Sequence, residues 1–318
     1  AVTRRPMAEF ITAPAIVTYM PSAVAHLSAR VPGTVWRVER RQGDQVRQGE
    51  VLAVLDALAV GDAKAEFLQA MVQAELKQRN LDRLKVAGDG IAEKYLREAD
   101  AALREAQLER YNAQQALINL GLQVSYDDFT GLDDTERARR MQFLGLPESL
   151  VRTLDPETTT ANLIPVLAPF DGVLVRCDIV KGEVVSPERS ALVLANVDRM
   201  LVKLNINKED ALRVAPGQQV QYLADGIPGR ITTQIRWIST EVDDKTRAVL
   251  AIAELDNAAV DSQAVGETAR LLKANTFGVG QIRVREAPTA LVVPEPAVQW
   301  DGEHHVVFLA REEEQPSE

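Results

Sequence analysis

Residues 33–46, GTVWRVERRQGDQV, return 139 positions later as GVLVRCDIVKGEVV, residues 172–185. Laying one copy on the other needs no gap from Gly33 to Asp56. Six of the 24 positions are identical: Gly33/Gly172, Arg37/Arg176, Gly43/Gly182, Val46/Val185, Val54/Val193 and Leu55/Leu194. Glu39/Asp178 and Asp44/Glu183 add charge-like matches. The weight lies less in the number than in the register, because both glycines and the apolar alternation coincide. Val35, Val38, Val51, Leu52, Val54 and Leu55 supply strands with an apolar face. QGDQV and KGEVV each put a glycine where a tight turn needs positive φ. A half this small cannot close a core alone, so the two halves are expected to fold together into one β-sandwich.

What separates the halves has a different period. From about Val60 the apolar positions follow a heptad: Ala63, Phe67, Ala70, Ala74, Lys77, Leu81 and Leu84, then Ala92, Leu96, Ala99, Leu103, Ala106, Arg110, Ala113, Leu117 and Leu120. Alternating steps of four and three over this length are a coiled-coil seam. Gly88 and Gly90 break the run and Gly121 ends it. Two helices of roughly 27 residues joined by a short turn run antiparallel and reach about 40 Å. Lys77 and Arg110 interrupt the seam, and both are expected to carry their charge outward over an apolar stem. A long two-stranded rod buries little apolar area per residue, so a projecting arm that reaches another protein explains it better than stability does. Residues 122–161 read as a connecting segment with short helices around Asp134–Leu144 and Pro147–Leu154.

The last third, from VDRMLVKLNINKED to IAELDN, alternates short strands with turn signals at Pro216-Gly217 and Asp225-Gly226, and a short helix at Lys208–Val214 fits between them. Strands at this spacing suggest a small β-barrel. A final β segment, LVVPEPAVQWDGEHHVVFLA, carries another Asp-Gly turn.

Bulk properties exclude several functions. A net charge of −10 speaks against a nucleic-acid partner. The single cysteine, Cys177, permits no internal disulfide and no thiol-rich metal site. No run of about 18 apolar residues would span a bilayer. The N-terminus lacks the basic-then-apolar pattern of a signal peptide, so the chain is expected to be cytosolic or a mature or trimmed form. Three histidines, with no Ser-His-Asp set, P-loop or dinucleotide fingerprint, argue against an enzyme. GVGQI is a lone glycine pair without weight, and the pairs Asp127-Asp128, Asp133-Asp134 and Asp243-Asp244 lie in polar segments where solvated loops are the default.

The interleaved halves, each with a Gly-acid-x-Val turn, resemble biotinyl/lipoyl-type domains. In carrier domains a hairpin bearing the modified lysine joins the halves. Here VLAVLDALAV has Ala57 and no lysine at that tip, which argues against a swinging arm. The nested order is lipoyl half, helical hairpin, lipoyl half with LAPFDGVLV, barrel with DDKTRAVLAIAELDN, then VVPEPAV and VVFLA. In that order the chain resembles the periplasmic adaptors, or membrane fusion proteins, of tripartite RND-type efflux systems, from about Ala29 onward. Its fairly short hairpin and the run NLDRLKVAGDGIAEKYLREA resemble the heavy-metal subgroup.

The resemblance implies an elongated α+β multidomain chain: a split lipoyl-like β-sandwich with an inserted antiparallel α-helical hairpin, a small β-barrel and a β-rich membrane-proximal domain. It places a segment completing the barrel and membrane-proximal domain at 1–28, so that Arg4–Ser28 pairs with the last two regions. The lipoyl-like halves fall at 29–57 and 162–196, the hairpin at 58–121 and the connecting segment at 122–161. The barrel follows at 197–283 and the membrane-proximal domain at 284–318. The implied function is a non-catalytic periplasmic adaptor, associated with the inner membrane, that links an inner-membrane RND proton-driven pump to an outer-membrane channel for export of divalent metal. It self-associates into a ring or dimers. Its signal or anchor would lie outside this chain.

Departures from the family pattern are specific. Leu272–Phe277 reads LKANTF where the family's barrel usually has LKPGMF, so the turn chemistry is altered. Many adaptors carry Arg-x3-Leu-x6-Ser/Thr at the hairpin tip. Arg83 stands for the arginine, but Ala87 and Ala92 stand near the expected leucine and hydroxyl, leaving Arg83, Leu84 and Ile91 as channel-contacting candidates. His304 and His305, adjacent on a strand, would point to opposite faces. One of them with Glu241 or Asp244, or with His26 of the returning N-terminal segment, would suit Zn2+, or Co2+ and Ni2+. No cofactor is obligatory, and five unclustered methionines argue against a thioether site. Two alternatives stay open: a lipoyl or biotin carrier subunit of an enzyme complex, and an adaptor of an ABC or type I exporter.

Overall fold

A computed structural model describes residues 3–87, 92–257, 259–261 and 268–308. The chain divides into two units, one continuous (Pro21–Val197) and one made of Ala1–Met20 with Asp198–Glu318. Strand β1 (Thr3–Tyr19) belongs to the second.

In the continuous unit the two repeats exchange strands. The first supplies β2 (Val24–Ser28), β3 (Gly33–Val38), β4 (Gln45–Val46) and β5 (Val51–Asp56). Helices α1 (Leu58–Val86), α2 (Glu93–Asn119), α3 (Asp134–Gln142) and α4 (Glu148–Val151) intervene. The second repeat supplies β6 (Leu163–Leu167), β7 (Gly172–Cys177), β8 (Val184–Val185) and β9 (Ser190–Ala195). The two four-stranded sheets have the orders β2-β9-β7-β4 and β6-β5-β3-β8, so each contains strands of both repeats. Gln45 and Val46 pair with Val173 and Gly172, while Gly33 and Thr34 pair with Val185 and Val184. Val35, Leu52, Leu55, Leu174, Leu192 and Leu194 fill one core between the sheets.

The repeated glycines have a steric reason. A Cβ at Gly33 would stand 2.7 Å from the carbonyl oxygen of Asp56, and one at Gly172 would stand 2.6 Å from that of Ala195. Asp56 and Ala195 are themselves related by the same displacement of 139. The pseudo-symmetry therefore reaches down to single backbone contacts.

The same symmetry corrects the expectation for residues 1–28. Strand β1 does pair within the second unit, but β2 pairs with β9, His26 opposite Val193 and Val24 opposite Ala195. β5 takes β6 as its outer neighbour, and β9, buried along nearly its whole length, needs an equivalent cover for its free backbone edge. β2 provides it.

The hairpin buries Ala63, Phe67, Ala70, Ala74 and Leu81 of α1 and Ala99, Leu103, Ala106, Ala113 and Leu117 of α2, most of the heptad positions read from the sequence. Lys77, Leu84, Leu96, Arg110 and Leu120 are half-buried, and Ala92 stands exposed just before α2. Gly121 (φ +87°) closes α2: its N–H donates to Ile118 O at 2.8 Å and that of Leu122 to Leu117 O at 3.0 Å. Arg110 does not simply extend into solvent; its guanidinium lies over the Tyr126 ring, 4.1 Å from the centroid. Among the described residues no helix is long and apolar enough to cross a membrane.

The second unit adds β10 (Arg199–Asn207), α5 (Lys208–Ala211), β11 (Gln219–Ala224), β12 (Ile231–Val242) and β13 (Ala248–Asp256). After these come β14 (Ala259–Asp261), β15 (Thr268–Arg270), β16 (Phe277–Val292), β17 (Gln299–Trp300) and β18 (His305–Val306). Strands β1-β10-β13-β12-β11-β16 close into a barrel around Val17, Val202, Leu204, Val220, Tyr222 and Ile282. The pair in GVGQI has a packing role after all. A Cβ at Gly280 would fall 2.0 Å from Leu204 Cδ2, and one at Gly278 would meet Leu223 O and Tyr222. β16 is continuous through residues 283 and 284 and stays paired with β1 from Ile16–Phe277 to Thr3–Val292. One ribbon thus carries both the barrel wall and the start of the terminal region.

The altered LKANTF turn keeps a left-handed residue: Asn275 has φ +66° and donates its N–H to Val17 O at 2.8 Å. Asparagine is among the few side chains that enter this region at modest cost.

Candidate functional site

The hairpin tip begins at the last turn of α1, where Arg83 and Lys85 place positive charge beside the unsatisfied carbonyls of the helix C-terminus. Arg83 is exposed, and its Nη2 donates to Asn80 Oδ1 at 2.9 Å. Leu84 turns into the seam and packs on Leu81, Ala99 and Leu103. Val86, not singled out from the sequence, is 88% exposed at the end of the helix. Ile91 lies outside the described residues.

The candidate metal ligands fall in different places. His26 is exposed on β2 of the continuous unit. Glu241 is exposed on β12, and its N–H donates to Ser239 Oγ at 3.0 Å. Asp244 is in the following turn, which is built around its neighbour. Asp243 Oδ1 accepts from the N–H of Lys245 (2.9 Å) and of Thr246 (2.7 Å) and from Thr246 Oγ1 (3.0 Å). These hydrogen bonds, those of Thr246 foremost, hold the Asp243 carboxyl below the ordinary aspartate range.

His304 and His305 are not adjacent on one strand. His304 sits in the turn and only His305 enters β18. The cause is Asp301, whose Oδ1 accepts from the N–H of Glu303 (2.9 Å) and of His304 (2.7 Å), with Gly302 at φ +110°. The same two N–H groups keep its carboxyl below the usual range. His305 stacks edge-on against Trp300, ring centroids 4.9 Å apart. Both histidines are exposed, and among the described residues no three His, Cys, Asp or Glu side chains are grouped to hold a metal ion.

The residue that sequence reasoning missed is Lys64. It is 1% exposed inside α1, and its Nζ donates to the carbonyl oxygens of Gln142 (3.1 Å) and Leu163 (3.2 Å). Burial pushes its amine down from 10.5 to about 8. The available signal was its place one step after Ala63 and three before Phe67, on the flank of the seam. Lys64 is the first lysine after the first repeat. Its location, inside a helix and sealed from solvent, is the opposite of what a carrier's modified lysine requires.

Residues 23–196 match the family described as CzcB-like, barrel-sandwich hybrid domain. The chain is 25% identical over 299 residues to the cobalt-zinc-cadmium resistance protein CzcB of Cupriavidus metallidurans, covering 93% of this chain and 49% of that protein. It is 26% identical over 309 residues to the nickel and cobalt resistance protein CnrB of the same organism, covering 95% and 66%. It therefore spans about half the length of the first of these relatives. Among solved structures, a MacA-MexA chimera containing the Pseudomonas aeruginosa MexA α-hairpin domain aligns with a TM-score of 0.63 at 17% identity, covering 100% of this chain and 95% of that one. ZneB from C. metallidurans aligns with a TM-score of 0.53 at 19% identity, covering 88% and 100%. At these identities the likeness is one of fold.

Proposed function

We propose, because the chain belongs to the family of CzcB-like barrel-sandwich hybrid domains, that it is a non-catalytic periplasmic adaptor. It would couple an inner-membrane RND pump to an outer-membrane channel for export of divalent cations such as Zn2+, Co2+ or Ni2+. The observation that carries this reading is a sandwich made from two distant repeats, with a helical hairpin thrust out between β5 and β6. A catalytic site needs convergent titratable groups in a cleft. This architecture instead offers a long arm inserted in the sandwich of the continuous unit and, as a separate feature, the six-stranded barrel of the second unit. The names of CzcB and CnrB, both metal-resistance proteins, support divalent metal as cargo.

Self-association into a ring or dimers belongs to the same proposal. The exposed imidazoles of His304 and His305 are the proposed contacts for a passing cation rather than a resident site, since among the described residues no third ligand is grouped with them. Calorimetric titration of the intact chain with Zn2+ should give heat that disappears in the His304→Ala/His305→Ala double variant. No heat in the wild type, or heat retained in the double variant, removes the histidines from the reading.

The adaptor role is tested by a deletion strain grown on graded Zn2+, Co2+ and Ni2+, complemented with the gene, together with co-purification against RND and ABC pumps. Sensitivity to a divalent metal and retention of an RND pump are expected. Normal metal tolerance with retention of an ABC pump would move the protein to the second reading, an ABC adaptor. That reading draws on a 25% identity over 209 residues to the macrolide export protein MacA of Escherichia coli O157:H7.

A further inference from the structure

A helical hairpin inserted between β5 and β6 needs little chain to return. α1 starts two residues after β5, and Ala57 N–H donates to Asn162 O at 3.1 Å, so both ends of the insert meet at one place. Yet some 40 residues separate Gly121 from β6. They pack in two directions. Toward the sandwich, Leu150, with Leu146 and Leu154, covers Val51, Val54, Leu163 and Trp36. Toward the arm, Phe129 meets Phe67 edge-on with centroids 6.2 Å apart. Arg137 Nη1 donates to Glu75 Oε2 at 3.0 Å, both side chains under one fifth exposed, and Tyr126 Oη donates to Glu75 Oε1 at 3.4 Å. On α2, Arg110 stacks on Tyr126 and Gln114 Nε2 donates to Val124 O at 2.9 Å. Lys64 ties the assembly at its centre, bonded to Gln142 O of the connecting segment and Leu163 O of the sandwich.

The contacts with α1 reach Glu75 and those with α2 reach Arg110. From Leu58 to Glu75 is about 26 Å of helix, whereas the remaining stretch to Val86 is about 16 Å. Beyond that level, among the described residues, the two helices hold only each other, through Leu81, Leu84, Ala99 and Leu103.

We propose that residues 122–154 are a brace that locks the lower part of the hairpin to the sandwich as one rigid body, so that the arm bends only above the level of Glu75 and Arg110. A two-stranded rod attached at its base alone would pivot at Ala57 and Gly121. With both helices gripped partway up, the arm's angle is set by side-chain contacts, and its free lever is shortened. This device stands on the contacts within the continuous unit and holds whatever the arm touches.

The test uses time-resolved energy transfer between fluorophores at Lys85→Cys on the arm and Arg47→Cys on the sandwich, in a Cys177→Ser background. A single narrow distance distribution is expected for the wild-type brace. The Tyr126→Ala/Arg137→Ala variant should broaden it about twofold while the sandwich strands keep their protection from hydrogen exchange. An equally narrow distribution in that variant, or a broad one already in the wild type, overturns the proposal. Should the double variant fail to fold, hydrogen exchange on the wild type decides. A step in protection of about tenfold or more is expected on passing from residues 60–75 and 110–119 to residues 78–86 and 93–106. Uniform protection along both helices refutes the brace.

Discussion

Lys64→Met isolates the cost of keeping a cation inside this fold. The native amine, 1% exposed and bonded to two backbone carbonyls, loses its proton at about 8, against 10.5 for the ordinary lysine that the unfolded chain carries. Below pH 8 both states hold the proton, and the folded one bears the full desolvation penalty, about 3 kcal/mol from the two values. Between pH 8 and 10.5 the folded state has released the proton and the unfolded state has not. The unfolded chain then binds more protons, and stability rises with pH. Over pH 7 to 9.5 the wild type should gain about 2 kcal/mol from this group alone.

Methionine removes the charge but leaves the carbonyls of Gln142 and Leu163 short of a donor, at roughly 1–3 kcal/mol each. The change in stability at a single pH therefore mixes opposing effects, and the pH slope separates them. Urea unfolding of wild type and variant at half-unit steps across this range, below the ordinary tyrosine range, cancels the titrations common to both. The difference between them should move by about 2 kcal/mol in favour of the wild type as pH rises. A difference that stays level across the range refutes the buried, depressed lysine.

Other expectations follow from backbone geometry. Gly33→Ala and Gly172→Ala each drive a Cβ into a carbonyl oxygen, so each should destabilise the continuous unit by about 2 kcal/mol or more in denaturant unfolding, and by similar amounts. A neutral effect at either would break the argument from pseudo-symmetry. Asn275→Gly should be tolerated within about 1 kcal/mol, whereas Asn275→Val, β-branched at φ +66°, should cost roughly 1–3 kcal/mol by thermal unfolding; equal effects would show that the left-handed turn is not what the position requires. Tyr222→Phe deletes the hydrogen bond from Tyr222 Oη to Thr276 O (3.1 Å) and should cost about 1 kcal/mol, while also removing the phenol that burial pushes up to about 12. Unchanged stability, by the same measurement, would mean that the bond contributes nothing net.

Local period and local turn chemistry were enough to read the repeat, the heptad seam of α1 and α2, the glycine that ends α2 and the short helices after it. Each of these depends on residues within a turn or a heptad of one another, and the positions read as buried from Ala63 to Leu81 and from Ala99 to Leu117 are buried. Edge pairing carries no such signal. VAHLS reads equally as a barrel strand and as a cover for β9, and only the unmet backbone edge of a strand that begins 166 positions later decides between them. The brace was unreadable for the same reason. Phe129, Arg137 and Leu150 lie in segments without period, and their meaning resides in Phe67, Glu75 and Val54, brought near by folding. The histidine pair shows the opposite limit, since one aspartate side chain took His304 out of the strand that alternation implied.

The sequence by itself therefore determined the elements and the nested order that identifies the family, because those follow from short-range sterics and the spacing of apolar side chains. Tertiary structure alone decided which edges are covered, that Lys64 is sealed inside, and how far up the arm is held. Burial and electrostatic environment belong to the surroundings a folded chain creates, and no window of neighbouring residues contains them.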